Sequence, residues 1–293
     1  MGTDMGEQPR DAEHGASAAT DAATKDQAKE KESWGDFFRT IVYALLIALA
    51  VRTVAYEPFN IPSESMLPNL LVGDYLFVSK YAYGYSRHSL PFGPPLFQGR
   101  IFESQAQRGD VVVFKLPRDG RTDYIKRVIG LPGDRVQLRA GVVHINGQPV
   151  KRERIDDFVV PVSPNTDCRG GLQSQYRTAL GDGSVVCKYP QYLETLPNGR
   201  SYRTLDLSRH APNDNSQEFL VPPGHYFMMG DNRDASLDSR APISVGVGFV
   251  PAANLVGRAE MIFYSTNGQA RLWTPWNWVQ STRFGRMFQS LRH

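Results

Sequence analysis

Hydrophobic positions fall along this chain in three regimes. Residues 1–33 hold almost no large apolar side chain; Ala, Asp, Glu, Lys, Gln and Thr dominate. So polar a segment cannot bury enough surface to offset its ordering entropy, and it reads as a disordered tail. Residues 41–51 are then an apolar run without a single charge, bracketed by Arg39 and Arg52. From Pro58 onward, short apolar runs alternate with Gly-Asp and Pro-Gly turns. Strands are expected at 75–79, 111–116, 124–129, 136–138, 142–145, 225–229 and 260–264. Asn146-Gly147 is a hairpin signal. Little of this body has helical period, so the fold class is mainly β.

Two stretches interrupt the strand pattern. Residues 82–107, rich in Pro, Gly and aromatics, read as an extended excursion. Residues 135–222 are polar and irregular, and read as a second β subdomain inserted between 57–134 and 223–293. Residues 268–293 mix Trp273, Trp276, Trp278, Phe284 and Phe288 with Arg283, Arg286 and Arg292. That mixture suits a membrane surface, with a packed terminal segment as the alternative.

The apolar run of 41–51 reaches only about 17 Å as helix, short of the roughly 30 Å hydrocarbon core. Residues 34–56 are long enough. Arg39 and Arg52 then sit near the ends, where both can snorkel, and Trp34 and Tyr56 suit the interfaces. A buried helix competes, but the run is apolar on every side. A cleaved signal peptide also competes, because Ala48-Leu49-Ala50 has the A-x-A form. The acidic leader and the continuation of the helix beyond Ala50 favour an uncleaved anchor.

Charge refines the picture. The 293 residues carry 33 Lys+Arg and 30 Asp+Glu, a net +3 that does not suggest a nucleic-acid binder. Lys25, Lys29, Lys31 and Arg39 precede the anchor core, and after Arg52 the next basic residue is Lys80. Positive residues stay inside, which puts the tail in the cytoplasm and the body on the outer face of the membrane. Cys168 and Cys187 are the only cysteines and both lie in that body. With no second pair they form no zinc ribbon. An exported pair reads as a disulfide, with two free thiols as the alternative.

No glycine-rich phosphate loop, His-Glu-x-x-His or Gly-x-Ser-x-Gly occurs, and no metal site or cofactor is indicated. Three stretches carry candidate chemistry. In Glu57-Pro58-Phe59-Asn60-Ile61-Pro62-Ser63-Glu64-Ser65-Met66-Leu67-Pro68, prolines fix an extended, poorly paired backbone that displays two serines. Two apart in a strand, they would point the same way. One could attack a carbonyl while the other donates to the oxyanion. Such a loop alone is most often a plain turn. The second stretch holds Lys126 in Tyr124-Ile125-Lys126-Arg127-Val128-Ile129-Gly130-Leu131-Pro132-Gly133-Asp134. Strand alternation sends Lys126 and Arg127 to opposite faces and leaves Lys126 between Tyr124 and Val128. Burial there would favour the neutral amine, which a general base requires. The third, Gly230-Asp231-Asn232-Arg233-Asp234-Ala235-Ser236-Leu237-Asp238-Ser239-Arg240, is a solvated loop or a polar scaffold in which Ser236 orients a lysine and Asp238 pairs with Arg240.

Together, behind an anchor and in this order, these blocks resemble the bacterial type I signal peptidases, the Ser-Lys enzymes that remove signal peptides. The resemblance covers the anchor and the catalytic β domain, about half of the chain. It implies Ser65 as nucleophile, Lys126 as general base and Ser63 as side-chain donor of the oxyanion hole. It also implies supporting roles for Ser236, Asp238 and Arg240. Phe59, Ile61, Pro62, Met66, Leu70, Tyr124 and Ile125 would line shallow pockets for small side chains at substrate positions −1 and −3. Asn69 and Glu64 depart from the family's usual Thr and Gly, at positions without chemistry.

The expected protein is therefore a single-pass, cytoplasmic-membrane serine endopeptidase, monomeric and without cofactor. It would cut exported preproteins after an Ala-x-Ala type site on the outer face of the membrane. Its partners would be signal peptides and the lipid bilayer, with no nucleic acid. A peptidase dedicated to few substrates, or a non-catalytic anchored β domain that binds exported chains, is the alternative.

Overall fold

The computed structural model describes residues 1–2, 34–89, 99–208, 211–270 and 273–292. The expected disordered tail, from residue 3 to 33, and residues 90–98 of the expected excursion lie outside them. Met1–Ala50 and Val51–His293 separate as two units. The first contains most of a 21-residue helix, Trp34–Val54. Trp34, Phe37, Leu45, Leu46, Ile47 and Leu49 are all exposed, so its apolar residues do not form a single buried stripe. Among the described residues no helix is long and apolar enough to cross a membrane. The side chains of Ala50, Thr53 and Val54 lie outside the description.

Val51–His293 is mainly β. Its principal sheet has seven strands in the order Tyr56–Asn60, Asp74–Ser79, Leu255–Ser265, Val111–Lys115, Asp123–Gly130, His225–Met229, Val250–Pro251. All pairings in this sheet are antiparallel. Position in the sheet follows the residue pattern. Val111-Val112-Val113-Phe114 is apolar without alternation, occupies the middle of the sheet and is buried on both faces. Tyr56–Asn60 carries Pro58, which cannot donate to a ladder, and it is an edge strand, as is Val250–Pro251 at the other side.

Residues 135–222 build two smaller sheets. One joins Phe219–Leu220, Arg135–Arg139, Val142–Ile145 and Gln148–Pro149. The other orders Ser201–Leu205, Val185–Thr195 and Lys151–Pro161, with Arg177–Ala179 on the middle strand. Ile129, Phe227 and Met229 of the principal sheet share one apolar cluster with Val136, Leu138, Val143 and Leu196, so the core runs on between them. Cys168 and Cys187 are joined in a disulfide. Both are fully buried beside Leu67 and Leu71, which follow the serine motif.

The C-terminal segment divides its residues by chemistry. Its arginines find acceptors on the body: Arg286 pairs with buried Asp74 at 2.5 Å, Arg283 donates to Val72 O and Thr266 O, and Arg292, itself exposed, pairs with Glu260. Its aromatics turn outward, with Trp273, Trp276, Phe284 and Phe288 all exposed.

Candidate active site

Ser65 sits on a short 3-10 turn, Glu64–Met66, between the Tyr56–Asn60 edge strand and its neighbour. Two serines of one strand would share a face, but here only Ser63 is extended and the chain coils from Glu64 onward. The expected strand geometry is therefore corrected. Buried Met66, Leu67 and Leu70 hold the turn against the core, and an apolar run after the serine favours that coil over a free edge. The two hydroxyls nevertheless converge, with Ser63 Oγ 3.3 Å from Ser65 Oγ. Ser63 is exposed and Ser65 is buried.

Lys126 comes from the Asp123–Gly130 strand, opposite Val112. Its Nζ donates to Ser65 Oγ at 2.7 Å and to Ile125 O at 2.9 Å. The ammonium also lies 5.5 Å from the Tyr124 ring centroid. The side chain is buried, and burial brings its pKa down from 10.5 to about 8; Asp238 and Asp231 oppose that shift from a distance and Arg240 adds to it.

The Gly230–Arg240 loop leaves the strand next to that of Lys126 and closes over the serine turn. Asn232 N donates to Ser65 O at 3.1 Å and Asn232 Nδ2 to Glu64 O at 3.2 Å. Gly230 is obligatory for this approach. A Cβ there would stand 2.3 Å from Ser236 Oγ and 2.6 Å from Ser65 O. Asp238 accepts from Gly230 N at 3.0 Å and from Arg240 Nε at 2.8 Å. Burial pushes the Asp238 carboxyl up, but Arg240 and these hydrogen bonds more than reverse it and hold it below the usual carboxylate value. Ser236 is buried nearby, and its Oγ has no hydrogen-bond partner. The expected bond from Ser236 to Lys126 is thus not formed in this state.

The residues expected to line substrate pockets sort by depth. Ile61, Met66 and Leu70 are buried in one cluster, against which Phe59 and Ile125 pack half-buried. Tyr124 is half-buried and Pro62 exposed. Only Phe59, Ile125, Tyr124 and Pro62 keep surface for a ligand; Phe59 and Ile125 rest on the Ile61–Met66–Leu70 cluster and Tyr124 on that of Val112, Phe114 and Val128.

Three structural partners escaped the sequence reading. Arg127, next to Lys126, makes a bidentate pair with Asp231, Nε to Oδ1 at 2.8 Å and Nη2 to Oδ2 at 2.7 Å. Asn69 Nδ2 also donates to Asp231 Oδ2, at 2.6 Å. Asn232 grips the turn as described. A signal for the first pair was available: the unalternating apolar run Val128-Ile129 marks a strand covered on both faces, so Arg127 is buried as well as Lys126, and a buried arginine calls for a carboxylate. As to metals, the carboxylate oxygens of Asp206, Asp214 and Asp234 lie within 4.8 Å of one another. Asp206 already pairs with Arg152 at 2.5 Å.

Comparison with known proteins places this geometry in context. Residues 34–264 match the family model described as signal peptidase, peptidase S26. The signal peptidase I of Rickettsia typhi is 36% identical over 289 residues, 91% of this chain and 97% of its own. That of Rickettsia conorii is 39% identical over 281 residues, 89% of this chain and 93% of its own. A solved signal peptidase I from Enterococcus faecalis V583 is 28% identical, covers 53% of this chain and 97% of its own, and has a TM-score of 0.27.

Proposed function

Since the chain belongs to the signal peptidase family, peptidase S26, we propose that it removes signal peptides with Ser65 as nucleophile and Lys126 as general base. The observation that carries this reading is the 2.7 Å contact between Lys126 Nζ and Ser65 Oγ, made by a lysine whose burial favours the neutral amine. Neutral Nζ takes the Ser65 proton along that line as Oγ attacks the carbonyl carbon. The resulting oxyanion is held by Ser63 Oγ and the Ser65 backbone N–H. Lys126 then gives the proton to the leaving amine; neutral again, it takes a proton from water as the water oxygen attacks the acyl carbonyl, and returns it to Ser65 Oγ as the ester bond breaks. Asn232, Asp238 and Arg240 position the turn and the loop above it.

Phe59, Tyr124 and Ile125 are half-buried and Pro62 exposed, so each keeps apolar surface for a ligand, which supports selection of small residues at −1 and −3, as in an Ala-x-Ala site. Residues 34–56 are read as the anchor. Their apolar side chains are exposed around the helix, and Ser65 follows within ten residues of Tyr56. The outward aromatics of 273–288 support a second contact with the bilayer surface. Confining enzyme and substrate to one membrane plane raises their effective concentration. The catalytic body then lies on the outer face, with residues 1–33 in the cytoplasm.

The test is cleavage of an Ala-x-Ala preprotein in detergent micelles. The unaltered chain should cut after the −1 residue, and Ser65→Ala should not. Equal cleavage by the variant would remove Ser65 from the mechanism.

A further inference from the structure

Ser65, Lys126 and the loop over them come from three separate stretches of chain, and one strand of the inserted region touches all three. That strand is Ser201–Leu205, an edge of the sheet that carries Cys187. On an edge strand, every second residue turns N–H and C=O groups outward, where its own sheet cannot satisfy them. Here they bond to the site. Arg203 O accepts from Asn69 Nδ2 at 2.7 Å, which ties the strand to the segment that follows Ser65. Leu205 N donates to Asp231 O at 2.9 Å, which ties it to the 230–240 loop. Beside them the Tyr202 ring lies 4.3 Å from the guanidinium of Arg127, on the strand of Lys126.

Asn69 is where these ties meet. Its amide nitrogen has two hydrogens and both are used, the second on Asp231 Oδ2 at 2.6 Å. The same carboxylate oxygen holds Arg127 Nη2. Leu70 N donates to Met66 O at 3.0 Å, so residues 66–70 form one tight turn that carries a displacement of Asn69 back to Ser65. Leu67 and Leu71, on either side of Asn69, pack in one apolar cluster with Cys168, Cys187 and Leu205. The inserted region thus meets the serine segment through a core contact and through a hydrogen bond, and only the second is directional.

We propose that Asn69 is a positioning residue for the nucleophile and that the inserted subdomain serves the site through it, Arg203 O and Asp231 together fixing the serine turn in register with the Lys126 strand. The inference rests on the peptidase reading, in which Ser65 attacks. Asn69 touches no reacting atom. Its two bonds keep Ser65 Oγ at the 2.7 Å from Lys126 Nζ along which the proton moves, and their loss lets the turn drift from that line. Substrate selection is assigned to Phe59, Pro62, Tyr124 and Ile125, so the signature of Asn69 is a fall in kcat with KM unchanged.

The experiment measures cleavage of an Ala-x-Ala preprotein in detergent micelles by the full chain and by Ser65→Ala, Asn69→Ala, Asn69→Thr and Val143→Ala, with a thermal midpoint for each. Threonine keeps one donor where asparagine has two. Val143 is buried in the other small sheet, so its truncation lowers stability away from this junction. At a temperature where all are folded, Asn69→Ala should lose about tenfold in kcat at constant KM, Asn69→Thr less, and Val143→Ala nothing. An Asn69→Ala chain that is less stable with kcat intact overturns the proposal. So does a rise in KM at constant kcat, or an equal loss of kcat in Val143→Ala. If Asn69→Ala does not fold, Asn69→Thr decides: a lowered kcat at constant KM is the expected result, and a kcat equal to that of the unaltered chain overturns the proposal. Failure of the peptidase reading looks different, because Ser65→Ala and the unaltered chain would then behave alike, and the role of Asn69 would fall with it.

Discussion

Lys126 and Arg127 are neighbours on one strand, both nearly inaccessible to solvent, and they resolve the same problem in opposite ways. Arg127, on one face, is met by the Asp231 carboxylate in a bidentate pair and by the Tyr202 ring 4.3 Å away. Burial works against its charge, but Asp231 outweighs it and raises the guanidinium pKa. Lys126, on the other face, is met by a hydroxyl and a carbonyl, and among the described residues no carboxylate pairs with it. Its charge is therefore the part that yields. Burial alone does not make a base. Burial with the carboxylate placed on the opposite face leaves an amine free to lose its charge, as the proposed role requires, and one strand supplies both conditions by alternation.

The sharpest way to break this contrast is Lys126→Met, a substitution of similar length without charge. Cleavage of a preprotein should fall about 10⁴-fold, the upper range for loss of a positioned general base. Stability should move the other way. The folded lysine pKa, about 8 against 10.5, means that near neutral pH the folded state holds this proton against burial. That opposition is about 3 kcal/mol, so the methionine variant should unfold at higher temperature. A variant that is both inactive and less stable would show that Lys126 is paired after all.

The converse substitution, Asp231→Ala, leaves Arg127 buried without its carboxylate. Breaking one side of a buried pair costs about 3–5 kcal/mol, and denaturant unfolding should show a loss of that size. Asn69 loses a partner as well. Removing both charges, as Arg127→Met with Asp231→Leu, should recover much of it. If the single variant is near neutral, the pair is not what fixes the loop.

The unequal legibility of the site follows from this same difference. Strand positions declare themselves by pattern, and the principal sheet's strands at 111–115, 123–130 and 225–229 lie where apolar runs predicted them. Lys126 was legible because alternation assigned it a face. The coil at Glu64–Met66 was not, because Pro-Ser-x-Ser reads as extended until Met66, Leu67 and Leu70 are seen packing beneath it. Of the partners in 230–240, the Asp238–Arg240 pair was expected and is formed, but the contacts of Asp231 and Asn232 with residues far along the chain could not be assigned in advance. That loop holds four aspartates or asparagines and four serines or arginines at close spacing, and only tertiary contact shows that Asp231 is the one bound to Arg127.

Acidity tests the same contrast without mutation. Only the neutral lysine can act as base, so kcat/KM should rise with pH, reach half its plateau near pH 8 and fall about tenfold per unit below that. The stability contribution has its own window. Between about 8 and 10.5 the unfolded lysine holds a proton that the folded one does not, so the unaltered chain should gain stability on Lys126→Met as pH rises through that interval. An acid limb centred near the ordinary lysine value would mean that burial does not act on this amine.

The smallest effect belongs to Ser236, and it separates positioning from packing. Its Oγ is buried without a partner and close beneath Gly230. Removing an unsatisfied hydroxyl should cost little, so Ser236→Ala should leave stability within about 0.5 kcal/mol. If Ser236 orients the lysine during turnover, kcat should still fall, by about tenfold, and the acid limb should shift with it because the neutral amine loses a hydrogen-bond donor. Unchanged kcat and an unchanged limb would make Ser236 a filler of the space under the loop. A matching loss of stability would instead place its hydroxyl in a bond that forms in the resting enzyme, and the lysine would then owe its orientation to Ser65 and Ile125 alone.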